Sequence, residues 1–350
     1  ISLGLVGSEM CIRDSYCGIM FHFSGYNNVS ENTLRNNNIG MFLDGSNNDI
    51  IENVFMKNGV GIKLSDSNNN ISRNVFVGGG LSASSRCYGN TVTNNIVNGK
   101  PLIYIEDSSG FTILDAGQII LIRCKNITIR GLNLSFTNIG IQLIRTNNTK
   151  VTENKITNNG IGIWLSNSHK NIISRNNITG NNGDGIYLSK SSNNNITKNN
   201  ISNNYYGIYV SYSSSNIISE NNITQNYHPG SELSDGIELL NSNYNVISNN
   251  NVTANEFEGI DLYGGCSNNI ILGNNITANG GDGIHIWEST SNAVSNNIIA
   301  ANKGDGVSIS DSSNNIISEN NIIANYWAGI ELQESSNNVI SGNNITMTSV

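Results

Sequence analysis

The stretch Asn194-Asn195-Ile196-Thr197-Lys198-Asn199-Asn200-Ile201-Ser202-Asn203-Asn204-Tyr205-Tyr206-Gly207-Ile208-Tyr209-Val210 decides the fold. Asn returns every five residues with Ile two positions behind it, and the run closes on a glycine followed by apolar residues two apart. The frame repeats in Asn216, Ile218, Asn221, Ile223 and Asn226, and in Asn315, Ile317, Asn320, Ile322 and Asn325. A five-residue step is too short for a helical face; it fits a brief strand and a corner, while Gly-Ile-x-Leu alternates as a strand does. The glycines that open the apolar pair stand at Gly18, Gly40, Gly61, Gly140, Gly162, Gly185, Gly207, Gly236, Gly259, Gly283, Gly306 and Gly329. Outside the gap between Gly61 and Gly140, the intervals are 22, 21, 22, 23, 22, 29, 23, 24, 23 and 23 residues. Three strands and three bends in such a unit make one rung of a parallel β-helix, paired to the next rung at roughly 4.8 Å. The expectation is an all-β, single-stranded solenoid with rungs of about 22–23 residues.

Composition agrees. Of 350 residues, 68 are Asn and 51 Ile, and the two prolines, Pro101 and Pro229, leave interior strands free to donate every N–H. Asn suits the corners because it tolerates left-handed backbone angles and because stacked amides can bond as a ladder. The formal charge, 18 − 26 = −8, excludes a basic nucleic-acid binder. No apolar run approaches the roughly 20 residues of a membrane helix. Cys11, Cys17, Cys87, Cys124 and Cys266 form no CxxC pair, so neither a zinc site nor a disulfide framework is indicated.

Residues 1–15 match nothing downstream and read as a non-native, adaptor-like segment, with one β-helix domain over 16–350 that is truncated at both ends. Regular rungs cover 16–77 and 140–350, and degenerate rungs 78–139, with a surface loop from Gly78 to Ser85. Flanking domains are expected beyond the fragment.

The run Val97-Asn-Gly-Lys-Pro-Leu-Ile-Tyr, the run Cys124-Lys-Asn-Ile-Thr-Ile and the tandem Asn-x-Ile units resemble the NosD-type right-handed β-helix repeat family. That family lies within the carbohydrate-binding and sugar-hydrolysis (CASH) group of pectin-lyase-like fold. The resemblance spans nearly all of 16–350. It implies a right-handed, extracytoplasmic solenoid, at the cell surface, secreted or periplasmic, related to proteins that bind or cut polysaccharide, with one branch tied to copper delivery. Copper carriers gather soft or imidazole ligands. Here His22, His169, His228 and His285 lie in different rungs and the five methionines do not cluster, which argues against copper.

Chemistry concentrates in the last third. From Glu232 onward 13 acids face the single base Lys303, so this part carries 1 − 13 = −12. Stacking the rungs brings the residues before each repeat glycine into one column, Asp184, Tyr206, Asp235, Glu258, Asp282, Asp305 and Ala328. The outward residue of Gly-Ile-x-Leu makes a second column, Trp164, Tyr187, Tyr209, Glu238, Asp261, His285, Ser308 and Glu331. Three readings compete. In a binding reading, Trp164, Tyr187, Tyr209, Tyr263 and Trp287 stack on sugar rings, with Tyr227 to Ser234 as a lip. In a catalytic reading, Asp261, His285 and Glu238 form an acid/base set for a lyase, hydrolase or epimerase. In a cation reading, Asp235, Glu258, Asp282 and Asp305 hold calcium, although no cofactor is required. Asp-Gly is also ordinary turn chemistry, and aromatics favour strands, so a purely structural surface protein stays open. The expected function is glycan binding on one strand face without catalysis, catalysis being the alternative.

Overall fold

The computed structural model describes residues 16–227 and 234–347, and there the regular structure is strand throughout. The strands wind into a parallel β-solenoid of about 15 turns. A typical turn carries a front strand (Ile186–Ser189), a second (Asn195–Thr197) and a third (Asn200–Ser202). Alternation sends Ile186, Leu188, Ile196 and Ile201 inward, where each is fully buried. Identical positions stack turn on turn, as Ile186 on Ile208 and Ile196 on Ile218. At about 0.8 kcal/mol per buried CH₂, these aliphatic columns supply the apolar stabilisation.

The corners show why Asn recurs. Asn199 Nδ2 donates to Asn221 Oδ1 at 3.0 Å and to the Ile173 carbonyl at 2.9 Å, while its Oδ1 accepts from both nitrogens of Asn176 at 3.0 Å. Unbroken ladders of this kind run from Asn171 to Asn338, from Asn154 to Asn343 and from Asn159 to Asn325. A Ser/Thr column continues the device at another corner, with Ser168 N on Ser191 Oγ and Ser191 N on Ser213 Oγ. Left-handed geometry is not the reason for the ladder residues. The positive φ belongs to the residue before each, Asn193, Lys198 and Asn203 in one turn, and that place also accepts Glu220, Gln225 and Ala254.

The repeat glycines answer to a close approach: a Cβ on Gly185 would sit 2.7 Å from the Gly207 carbonyl oxygen and 2.8 Å from Ile201 Cγ2.

The turns divide into two stacks. Four front strands, from Cys17–His22 to Leu81–Ala83, pair among themselves. At Ile96–Val97 the chain reverses and pairs antiparallel with Lys100–Glu106, the first front strand of an eleven-turn stack. The open end of the first stack lies on the outer face of the second. Leu102, Tyr104, Ile120, Ile122 and Ile144 join the first core, while Ile119, Leu121, Ile141 and Leu143 fill the second. Gly78 to Ser85 is therefore not a surface loop, since Leu81 and Ala83 are buried. Gln118 closes the strand edge by donating to Leu81 O at 2.8 Å and accepting from Leu81 N at 3.0 Å. Gln142 treats Ala83 likewise, at 2.7 and 3.1 Å. Side-chain amides here replace the partner strand that an exposed edge would recruit.

Candidate active site

Because the front strands pair in register, the outward column forms as the sequence predicts. Trp164 lies beside Tyr187, Tyr187 beside Tyr209, Tyr209 beside Glu238, Glu238 beside Asp261, Asp261 beside His285, and His285 beside Ser308. The neighbouring column of residues before the glycines runs parallel to it. Between them opens a cleft of about 490 Å³ lined by Tyr206, Asp235, Glu238, Phe257, Glu258, Asp261, Tyr263 and His285. A second depression of about 370 Å³ continues past Tyr263 and His285 to Trp287, Ser310 and Asp311.

Asp261 Oδ1 lies 2.9 Å from His285 Nδ1, and both groups are mostly buried. Burial alone would lower the His285 pKa, but the hydrogen bond and charge of Asp261, with Glu258 and Asp282 nearby, carry it above its ordinary value. Nε2 makes no hydrogen bond among the described residues, which leaves one ring nitrogen for chemistry. Burial and the charge of Asp261 push Glu238 up to about 7, against the lowering effect of the Tyr206 hydroxyl. Burial and Asp282 push Glu258 up to about 8, and burial takes Asp184 to about 7 and Asp282 to about 6. Asp235 rises well above the carboxylate range through burial and the charges of Asp261, Glu238 and Glu258. Acid groups that retain a proton near neutrality thus surround a histidine held by a carboxylate, the pairing acid/base catalysis uses.

In the column read as a calcium site, each carboxylate accepts the backbone N–H of the next turn through one oxygen. Asp235 Oδ1 accepts Glu258 N at 2.9 Å, Glu258 accepts Asp282 N, Asp282 Oδ1 accepts Asp305 N at 2.6 Å, and Asp305 Oδ1 accepts Ala328 N at 2.6 Å. Among the described residues no group of three or more His, Cys, Asp or Glu has a metal-holding arrangement.

The aromatic residues fall into two groups. Trp164, Tyr187 and Tyr209 pile face to face, with centroids 6.0 and 5.1 Å apart and planes within 10°, so their rims point outward. Trp164 Nε1 is buried without a partner. Tyr263 and Trp287 instead meet at 4.4 Å and 40°, and Tyr263 is 40% exposed beside the cleft. Trp287 Nε1 donates to Asp311 Oδ2 at 3.2 Å. Most of the lip expected at Tyr227 to Ser234, with His228, falls outside the described residues. Sequence reasoning missed Tyr206 and Phe257 as cleft walls. Tyr206 stands in the acid column, where its position rather than its type was the signal.

The fold places the chain among the right-handed parallel β-helix proteins, and residues 229–349 match the right-handed β-helix region model. Residues 8–114 and 112–235 match the model described as periplasmic copper-binding protein (NosD), so the chain belongs to the NosD family. No curated protein matches the chain in sequence. Among solved structures it resembles the periplasmic alginate epimerase AlgG, at 15% identity and TM-score 0.58, covering 85% of this chain and 77% of that one. The A-module of mannuronan C-5 epimerase AlgE6 from Azotobacter vinelandii matches at 14% identity and TM-score 0.51, over 93% and 92% of the two chains. The Dettilon tailspike protein matches at 18% identity and TM-score 0.54, over 71% and 55%. At these identities the likeness shows the fold. The copper of the family name meets no donor set among the described residues. His22 lies beside Asp44, His169 Nδ1 accepts from Ser192 N, His285 holds Asp261, and burial raises the pKa of the Cys87, Cys124 and Cys266 thiols.

Proposed function

We propose that this chain is an extracytoplasmic glycan hydrolase whose acid/base set is Glu238, Asp261 and His285. The observation that carries this reading is the 2.9 Å Asp261–His285 bond inside a cleft whose carboxyl groups retain protons near pH 7. Glu238, protonated, gives its proton to the glycosidic oxygen. His285 Nε2, with Nδ1–H held by Asp261, takes a proton from the water that attacks the anomeric carbon. One bond to oxygen breaks, one forms, and the water is divided between the two products. Glu238 and His285 stand two turns apart, about 9–10 Å between their strands, which is nearer the wide separation of inverting hydrolysis than the narrow one of retaining hydrolysis.

Elimination or C-5 epimerisation, the latter named for the AlgE6 module, would need a cation to neutralise a uronate carboxylate. Apart from His285, the residues lining this cleft offer only acids and aromatics. Retention without turnover, the first expectation from sequence, is favoured by the aromatic run Trp164–Tyr187–Tyr209 leading into the cleft. Incubation with polysaccharides tests both: new reducing ends that vanish in Asp261→Asn and His285→Ala support hydrolysis. Activity surviving both changes would move the site elsewhere, and retention without new ends would leave binding alone.

A further inference from the structure

We infer that the cleft between Tyr206 and Trp287 recognises a cationic sugar, a 2-amino-2-deoxyhexose unit with a free amine, and excludes uronates. This rests on the glycan reading above and names its substrate class. Four carboxyl groups, Asp235, Glu238, Glu258 and Asp261, line the cleft, and the one basic side chain among its lining residues, His285, is already bonded to Asp261. The wider surroundings do not rebalance it, because from Glu232 onward the only Lys or Arg is Lys303. Like charges packed into one site are destabilising unless a cation or a proton compensates. Without ligand the proton does so: burial holds Glu238, Glu258 and Asp235 above the carboxylate range, helped by the charge of Asp261 at Glu238, of Asp282 and Asp261 at Glu258, and of Asp261, Glu238 and Glu258 at Asp235. A ligand ammonium supplies the same charge with directed N–H donors. The walls suit it as well, since Tyr206, Phe257, Tyr263 and Trp287 present aromatic surface to sugar C–H groups and to a cation. A polyuronate would bring further carboxylates into a cleft that already neutralises its own.

The consequence is proton linkage. At about pH 6, where a sugar ammonium is charged, its binding should expel protons from Asp235 and Glu258, while Glu238 keeps the proton that hydrolysis uses. The titratable groups facing the ligand are Tyr206, Asp235, Glu238, Glu258, Asp261, Tyr263 and His285, with Asp184 and Asp282 on the flanking turns. Titration calorimetry of the whole chain with chitosan oligomers, in buffers of different ionisation enthalpy, reads both affinity and protons released. The expected result is proton release on binding, at least roughly tenfold weaker binding of the N-acetylated oligomers, and no binding of oligomannuronate. Glu258→Gln should weaken the chitosan oligomer roughly tenfold or more, whereas Glu319→Gln, at a distant surface, should not. Equal or tighter binding of the acetylated or uronate oligomers, or equal loss in Glu319→Gln, would overturn the inference. Chitosan binding with proton release but no new reducing ends would sink the hydrolase reading and leave the charge preference standing.

Discussion

A histidine whose Nδ1 is held by a carboxylate keeps one nitrogen for chemistry, and His285 lines a cleft with four carboxyl side chains. The two halves of the set titrate close together. His285 must lose its proton to act as a base, and Asp261 holds its pKa above the ordinary 6.5. Glu238 must keep its proton to act as an acid, and it loses it through about 7. The rate of reducing-end release should therefore follow a narrow bell centred near neutrality, its acid limb belonging to His285 and its alkaline limb to Glu238. Glu238→Gln and His285→Ala should each lower kcat by about 10²–10⁴-fold. A profile flat from pH 5 to 9, or an unchanged kcat in either variant, would exclude these roles.

One turn of the solenoid is a strand, corner and ladder unit that cannot bury its core alone, so its stability resides in contacts with the turns beside it. Asn199 joins three turns through its amide, and removing the amide strands buried partners on both sides. Each buried polar group left unpaired costs about 1–3 kcal/mol, whereas trimming a methyl in Ile201→Val costs about 0.5–1.5 kcal/mol. Asn199→Ala should therefore lower the unfolding midpoint more than Ile201→Val, although the valine change lies deeper in the core; the reverse order in denaturant titrations would show the ladder to be decorative. This much was legible in the sequence, because a five-residue Asn step and a two-residue apolar step each map onto one local geometry. The outward column was legible too: in-register stacking converts residue spacing into adjacency, so Glu238, Asp261 and His285 meet as read. The cleft walls were not. Tyr206 stood in the neighbouring column but was passed over for its type, and Phe257, outside both columns, carries no mark in the repeat.

At the scale of the whole molecule, the junction between the two stacks was the least legible feature, because its bonds join residues 37 and 59 apart in sequence. A local signal did exist. Ile119-Ile120-Leu121-Ile122 is apolar without alternation, as befits a strand buried on both faces, and it looks degenerate only to a template that expects one wet face. Replacing Gln118 and Gln142 with Leu should uncouple the four-turn stack, giving a lower first step in thermal unfolding; one coincident transition would show the apolar contact to be sufficient. The acidic third sets a second global property, the dependence of stability on pH. Ordinary carboxyls titrate near 4, while Asp184 and Glu238 titrate at about 7, Glu258 at about 8 and Asp282 at about 6. Between about pH 4 and 8 the folded chain thus holds protons that the unfolded chain has released, so the free energy of unfolding falls as pH rises through that window and levels above it. His285 acts in the same direction, since its raised pKa gives stability at low pH that is lost as pH climbs through its folded value. Thermal midpoints at constant ionic strength should accordingly be higher at pH 5 than at pH 8. Glu258→Gln, which keeps the neutral form at every pH, should narrow the difference chiefly by raising the pH 8 value. A midpoint that rises from pH 5 to 8, or a gap unchanged in Glu258→Gln, would mean that water reaches these acids and that the cleft holds no protons to exchange for a ligand.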